Sequence, residues 1–231
     1  MNEADPRPPR VRQTTFEIVS VPATEVPRLS RGVRILVVIL LVSLALGTIA
    51  LARWRPPRID DPLVWEQIAP PDTIPMRSWR WLVIHHSADR SGDPQAFDTA
   101  HVREHGWDGI GYHFVVGNGR PMPLGRIEAT FRWRNQTHGA HAGVDAYNQE
   151  GVGICLVGDF SRDIPDEFQV RRLVELCSHL LARIPTLSIA RITGHRDVPG
   201  KKTACPGRHL DVERIRFLVR EEMHKNGMTV R

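Results

Sequence analysis

The chain contains one long apolar run. After it come shorter apolar segments, some typical of strands and one with the 3.6-residue period of a helix. Residues 35–52 (ILVVILLVSLALGTIALA) carry no charge and are bounded by Arg34 and Arg53. The run is apolar on every side of a helix, and about 18 residues are enough to cross a hydrocarbon core at about 1.5 Å per residue. We therefore predict a transmembrane anchor over residues 35–52.

The segments on either side of this run have no repeating apolar pattern. Residues 1–34 mix Pro, Arg, Glu and Thr, and are predicted to be a flexible tail. Residues 53–79 contain six prolines, which predicts an extended linker. Leu63, Val64 and Trp65 are candidates for packing on the domain that follows.

Two interpretations of the apolar run stay open. Residues 50–52 (ALA) fit the small-residue rule for signal-peptide cleavage, whereas residues 1–34 are long for the charged start of a signal peptide and favour an uncleaved anchor. Arginines flank the run on both sides, so the charge balance does not set its orientation. In both interpretations we expect the domain after the run to be exported.

Beyond the linker the pattern alternates between β-type and helical. Runs rich in β-branched and aromatic residues predict strands at 79–86, 111–116, 151–158 and 189–194. A period of 3.6 residues predicts a helix over 165–184, and Asp93 and Asp211 are suited to cap two further helices. This alternation predicts an α/β domain over residues 80–228.

Composition narrows the classes of function. The formal net charge is +5 and the isoelectric point about 9.6, but the arginines are scattered and no nucleic-acid motif accompanies them, so we expect no nucleic-acid partner. The three cysteines include no C-x-x-C pair, which argues against a closed structural zinc site. Cys155 and Cys177 lie in apolar stretches, which favours two buried free thiols, with a disulfide between them as the alternative.

Histidines are the main candidates for chemistry. The chain has eleven, and several of them fall at predicted strand ends or in turns. Catalytic zinc takes three protein ligands, commonly His nitrogen and Cys sulfur, and keeps one position open. By spacing, the best set is one His of the first strand with His195 and Cys205, which bracket a loop punctuated by Gly and Pro. An ordinary hydrogen-bonded role stays open for each histidine.

Five ordered motifs resemble a known family. They are VIHHSA (83–88), GWDGIGYHFVVGNG (106–119), HGAHAG (138–143), YNQEGVGICLVGDF (147–160) and TGHRDVPGKKTACPG (193–207). In this order they resemble the type 2 N-acetylmuramoyl-L-alanine amidases, a superfamily that includes the phage T7 lysozyme and the peptidoglycan recognition proteins. The resemblance covers residues 80–219.

The resemblance implies a fold, a cofactor and a set of site residues. It implies a mixed central sheet flanked by helices, and a zinc ion (Zn2+) held by His85, His195 and Cys205. It implies that Tyr112 hydrogen-bonds the scissile carbonyl or the attacking water. Thr203 stands where the phage enzyme has a catalytic Lys, so it is the candidate for the second polar catalytic group. The candidates for binding substrate, or for structural hydrogen bonds, are His86, His113 and His141.

The implied activity is zinc-dependent hydrolysis of the amide between N-acetylmuramic acid and L-alanine in peptidoglycan or a muropeptide. The alternative is a non-catalytic peptidoglycan receptor of the same fold. Such receptors typically lose the Cys ligand, which this chain keeps. Cys155 stands where a cytosolic recycling branch has Glu, and this favours an exported enzyme. We expect a single-pass protein of the inner membrane with its catalytic domain on the periplasmic side; the sequence identifies no protein partner.

Overall fold

The computed structural model describes residues 30–53 and 60–229, and the chain divides into two compact units at about residue 54. The described part of the first unit forms the helix α1 (Arg31–Arg53), on which the apolar side chains of residues 35–44 are exposed. Within the described ranges, no helix is both long and apolar enough to cross a membrane. Residues 1–29 of the tail predicted over 1–34, the linker residues 54–59, residues 230–231 and the side chains of Arg34 and of residues 45–53 lie outside the described part.

The second unit is built on one mixed five-stranded sheet. Its strands are β1 (Trp81–His86), β2 (Phe114–Val116), β3 (Ile127–Ala129), β4 (Gly151–Leu156) and β5 (Ile192–Gly194). Their order is β3-β2-β4-β1-β5, with β3 antiparallel to β2 and the other neighbours parallel. This confirms the predicted α/β fold with a mixed central sheet. The predicted strand at 189–194 is wrong in its first half, because Ile189–Arg191 forms a 3-10 turn.

Six helices accompany the sheet in this unit. They are α2 (Trp65–Ile68), α3 (Pro94–His105), α4 (Phe131–Arg134), α5 (Asp145–Glu150), α6 (Glu167–Arg183) and α7 (Val212–Lys225). The carboxylates of Asp93, Asp166 and Asp211 each accept a backbone N–H in the first turn of the helix that follows. These caps satisfy donors that a helix leaves unpaired at its start, which explains where α3, α6 and α7 begin.

The two faces of the sheet have different roles. Side chains alternate along a strand, so Leu82 and Ile84 of β1 point to one face and His85 points to the other. The first face is covered by α6 and α7 and holds the main hydrophobic core of the unit. The second face carries His85 and Cys155, which are partners in the parallel pairing of β1 with β4. The helical layer therefore anchors the strands, while the opposite face carries His85 and Cys155 together with a smaller apolar cluster that includes Val115.

The predicted linker is wrong for residues 60–79. Leu63, Ile68 and Trp79 are buried in the main core, and α2 forms within this segment. The indole Nε1 of Trp79 donates to Oε1 of the buried Gln136 at 2.8 Å. The apolar side chains outweigh the extending effect of the prolines, because burying each of them contributes about 1.5–3 kcal/mol. This segment is part of the domain.

Candidate metal centre

Three side chains meet where two neighbouring parallel strands end. His85 lies near the end of β1, His195 follows β5 directly, and Cys205 lies in the loop before α7. The loop is held to the site because the Cys205 carbonyl accepts the backbone N–H of Arg196 at 2.7 Å. One ligand atom from each residue lies within 4.8 Å of the others, and Cys205 Sγ is 3.6 Å from His85 Nδ1. The structure thus brings together the three residues that the resemblance implies as zinc ligands.

A chain of hydrogen bonds fixes which nitrogen of His85 carries its hydrogen. His141 Nε2 lies 3.2 Å from the carbonyl oxygen of Gly151, which only accepts, so this nitrogen donates. Burial lowers the pKa of His141 to about 4, so the ring is neutral at pH 7 and its Nδ1 accepts. His85 Nε2 therefore donates to it across 3.1 Å. The lone pair of His85 is left on Nδ1, the atom that faces Cys205.

The second histidine is fixed in the same way. His195 Nε2 lies 3.1 Å from the carbonyl oxygen of Ala142 and must donate to it, which leaves the lone pair on Nδ1. Burial also lowers the pKa of His85 and, less strongly, that of His195, so both rings are held neutral. Two neutral imidazole nitrogens and one sulfur are the donor set that zinc prefers. The residues present therefore fit a zinc ion with one coordination position left open.

The thiol of Cys205 completes the donor set. Burial raises its pKa to about 12, and the backbone N–H of His86 donates to Sγ at 3.4 Å. A buried thiolate needs a nearby cation, and metal binding requires the deprotonated sulfur. This thiol is suited to a metal ion rather than to acting as a free nucleophile.

Tyr112 lies beside the three donors. Its ring is 5.2 Å from the ring of His85, measured between centroids. Burial raises the pKa of its hydroxyl well above the usual value, and the thiols of Cys155 and Cys205 add to this. The phenol therefore stays protonated at neutral pH and keeps its O–H as a hydrogen-bond donor. Tyr112 is in place to donate to a group bound next to His85.

Thr203 and His86 border the same site. The Thr203 hydroxyl oxygen accepts the backbone N–H of Cys205 at 3.2 Å, so its own hydrogen is available for another partner. His86 Nδ1 accepts the backbone N–H of Phe160 at 3.0 Å, which leaves Nε2 as the atom for a ligand. Both residues are compatible with the roles predicted from the sequence.

The structure corrects the predicted substrate-binding role of His113 and His141. His113 is fully buried; its Nδ1 accepts the N–H of Gly153 at 2.9 Å and its Nε2 donates to the Thr137 carbonyl at 3.1 Å. His141 is also buried, with both ring nitrogens bonded to Gly151 and His85. Neither ring has a nitrogen left for substrate, because the protein already uses all four.

Two residues near the site were not predicted from the sequence. The ammonium of Lys201 lies over Gly143, where an added Cβ would be 2.4 Å from Nζ, and its charge is among the causes that lower the pKa of His195. Asn148 accepts two backbone N–H groups from the segment that contains His141. Neither role has a signal in the sequence, because each depends on how a loop folds over the end of the sheet.

A cavity of about 550 Å³ opens at the same end of the sheet, beyond the end of β4. Gly158 and Phe160 form part of its wall, and Phe160 is the residue whose N–H holds His86. Arg90 and Arg120 bring positive charge to its rim, while Asp159 is among the acidic residues that line it. This end of the sheet therefore carries a polar space large enough for an extended ligand.

A mixed α/β domain that brings two histidines and one cysteine together at one end of its sheet has a donor set that could hold a single zinc ion. The chain belongs to the N-acetylmuramoyl-L-alanine amidase family, which matches residues 75–208 and confirms the resemblance drawn from the motifs.

Named relatives fall into two groups. The N-acetylmuramoyl-L-alanine amidase of Sus scrofa is 32% identical over 138 residues, which are 55% of this chain and 21% of that protein, so the match spans about a fifth of its length. Peptidoglycan recognition protein 1 of Bos taurus is 30% identical over 139 residues, covering 57% of this chain and 68% of that protein. The family thus includes proteins named for an activity and proteins named for recognition.

A solved structure agrees with this assignment. The endolysin N-acetylmuramoyl-L-alanine amidase LysCS of Clostridium intestinale superposes with a TM-score of 0.52 at 26% identity, covering 66% of this chain and 86% of that one. The likeness extends over most of the amidase and supports the same arrangement of sheet and helices.

Proposed function

We propose that this chain is a zinc-dependent enzyme that hydrolyses the amide bond between N-acetylmuramic acid and L-alanine in peptidoglycan or a muropeptide. The observation that carries the proposal is the convergence of His85, His195 and Cys205, each with its donor atom turned toward the others. Membership of the amidase family supplies the substrate class. A recognition function without cleavage would not require three metal donors with Tyr112 beside them.

An amide is a poor electrophile, so its hydrolysis requires stabilisation of the negative charge that develops on the carbonyl oxygen. A zinc ion bound by His85, His195 and Cys205 would supply a Lewis acid that polarises the carbonyl and lowers the pKa of water. Tyr112 adds a neutral O–H donor, kept protonated by burial, for the same developing charge. Thr203, whose oxygen is already used by Cys205, contributes its remaining O–H to the substrate or to water.

The alanine nitrogen must gain a proton as the C–N bond breaks, because hydrolysis adds one water across that bond. His86 keeps the substrate-contact role predicted from the sequence, through the Nε2 atom that the protein leaves unbonded among the described contacts. The cavity at this end of the sheet is lined by Arg90 and Arg120, whose positive charges suit the carboxylate groups of a stem peptide. These assignments give each polar group at the site one role in binding or proton transfer.

We also propose that residues 35–52 anchor the protein in the inner membrane, with the amidase domain on the periplasmic side. The support is the uncharged sequence of this segment and the outward apolar side chains of α1, among which Leu36 is 70% exposed. Such a surface is costly in water, at about 25 cal/mol per Å² of apolar area. Washing isolated membranes with alkaline carbonate tests this: an anchored chain stays in the pellet, and release into the wash contradicts the anchor.

Digestion of purified peptidoglycan tests the activity. The wild-type chain is expected to release stem peptides that begin with a free L-alanine amine, identified by mass spectrometry. Cys205→Ala should abolish the release and lower the zinc content below about one ion per chain. Cys177→Ala is the matched control, because this buried thiol lies in α6 on the opposite face of the sheet. Binding without release by the wild type would instead identify a receptor.

A further inference from the structure

One short loop, residues 139–143, contacts both histidine donors. The His141 side chain accepts the Nε2–H of His85, and the next residue, Ala142, presents its carbonyl to Nε2 of His195. An atom of this one loop therefore fixes the tautomer of each of the two histidines, His85 and His195. A displacement of this loop changes the orientation of both rings at once.

The His141 ring occupies a slot built from two glycines. A Cβ on Gly139 would lie 2.3 Å from Cδ2 of the ring, and a Cβ on Gly153 would lie 2.5 Å from the same atom. No other residue fits at either position without moving the ring. The slot sets the plane of the ring, and the position of the loop backbone sets how far the ring reaches toward His85.

Asn148 holds that backbone in place. Its Oδ1 accepts the N–H of His141 at 2.9 Å and the N–H of Ala142 at 2.8 Å, so one oxygen uses both of its lone pairs on the loop. In addition, the N–H of Gly139 donates to the Asn148 carbonyl at 2.9 Å. Asn148 lies in α5, immediately before β4, and so connects the loop to the sheet that carries the site.

We propose that Asn148 is a positioning residue that fixes the metal-facing nitrogens of His85 and His195 through the loop 139–143. The proposal rests on the zinc-binding function proposed above. Asn148 touches neither donor atom; it acts by holding the His141 ring and the Ala142 carbonyl where they accept from the two Nε2 atoms. Partners of this kind typically change metal affinity by about 10- to 100-fold when they are removed.

The proposed role depends on the side-chain oxygen of Asn148. It can therefore be distinguished by mutation from a role of the amide N–H₂ group or of the helix α5. An Asp at this position keeps an oxygen acceptor of the same size and reach, but loses the amide N–H₂ donor. If Asn148 acted by donating to substrate, Asp would fail as Ala does. If it only supported α5, the neighbouring exposed Gln149 would matter equally.

The test compares the purified full-length chain with Asn148→Ala, Asn148→Asp and the control Gln149→Ala. Zinc affinity is measured by competition with a chelating dye, and the visible absorption of the Co²⁺-loaded proteins reports the geometry of the donors. We expect Asn148→Ala to bind zinc about 10- to 100-fold more weakly with an altered Co²⁺ spectrum. Asn148→Asp and Gln149→Ala should stay within about threefold of the wild type, because both keep the acceptor oxygen.

An unchanged affinity in Asn148→Ala, or an equal loss in Asn148→Asp, would overturn the proposal. If the Ala variant does not fold by circular dichroism, Asn148→Gln replaces it, since the added methylene displaces the oxygen and the same loss is expected. A wild-type chain that binds no zinc would contradict the proposed function itself. If instead the wild type binds zinc and the Asn148 variants bind it equally well, only the role of Asn148 is contradicted.

Discussion

Cys155 lies directly opposite His85 in the parallel pairing of β1 with β4, and its buried thiol is close enough to Tyr112 to help raise the pKa of the phenol. The thiol thus lies next to the phenol that stands beside the metal donors. Cys155→Ala removes this neighbour, and a loss of about 0.5–1.5 kcal/mol in the positioning of the phenol should lower kcat about 2- to 10-fold. Cys155→Ser keeps a polar atom at this position and should lower it less. Steady-state kinetics on a soluble muropeptide measures both, and an Ala variant with unchanged kcat would contradict this role.

Changing Tyr112 should lower kcat far more than changing the neighbouring Cys155. Loss of one donor to a developing oxyanion typically costs about 10²–10³ in rate, and we expect that fall in kcat for Tyr112→Phe. Elemental analysis should find the zinc content unchanged, because the phenol is not a donor to the metal. Since the pKa of Tyr112 is raised by burial, the wild-type rate should not fall through loss of this proton up to about pH 10. A Phe variant within threefold of the wild type would remove Tyr112 from the mechanism.

Much of the sheet could be predicted from the sequence because its central strands are continuous apolar runs. The runs at 79–86 and 151–158 contain β1 and β4, which lie at the middle of the sheet and are buried on both faces. By contrast, β3 has only three residues, two of them half-buried, and it is defined by its pairing with β2. A pattern that short has no period to detect.

The candidate site was predictable only in part, for a similar reason. The donors His85, His195 and Cys205 lie in motifs that can be recognised along the chain. The interior positions of His113 and His141 depend on carbonyls and glycines that are distant in sequence, such as Gly153 against His141. A histidine is buried without penalty when both of its ring nitrogens are bonded, and only the fold supplies those partners.

The buried His113 should make the stability of the metal-free domain depend on pH. Burial lowers its pKa well below the usual value, so as the pH falls below about 6.5 the unfolded chain binds a proton there that the folded domain does not. Stability is therefore lost as the pH falls, by about 1.4 kcal/mol per pH unit for each such histidine. Urea unfolding at several pH values should show a slope that His113→Gln reduces by about that amount.

The control for this measurement is the same change at His224, which is exposed near the end of α7. It removes one histidine from the chain without touching the interior. Equal slopes for the wild type and His113→Gln would show that burial of this ring does not govern the acid sensitivity of the domain.

Arg132 connects two loops that border the site. Its guanidinium is 1% exposed and donates to the carbonyls of Ile110 and His138, and it also pairs with the carboxylate of Asp108. Ile110 precedes Tyr112 by two residues, and His138 precedes the loop 139–143. Arg132→Met should leave the buried carbonyl of Ile110 and the partly buried carbonyl of His138 without this donor, and we expect it to lower the free energy of unfolding by about 2–4 kcal/mol.

Two control variants separate the carbonyl contacts of Arg132 from its ion pair. Asp108→Ala removes only the partner whose side chain is 70% exposed, so it should destabilise the domain much less, because exposed pairs contribute little. Arg134→Met makes the same change on the exposed side of α4 and should stay within about 0.5 kcal/mol of the wild type. Urea unfolding measures all three variants. If Asp108→Ala costs as much as Arg132→Met, the ion pair rather than the two carbonyls holds these loops together.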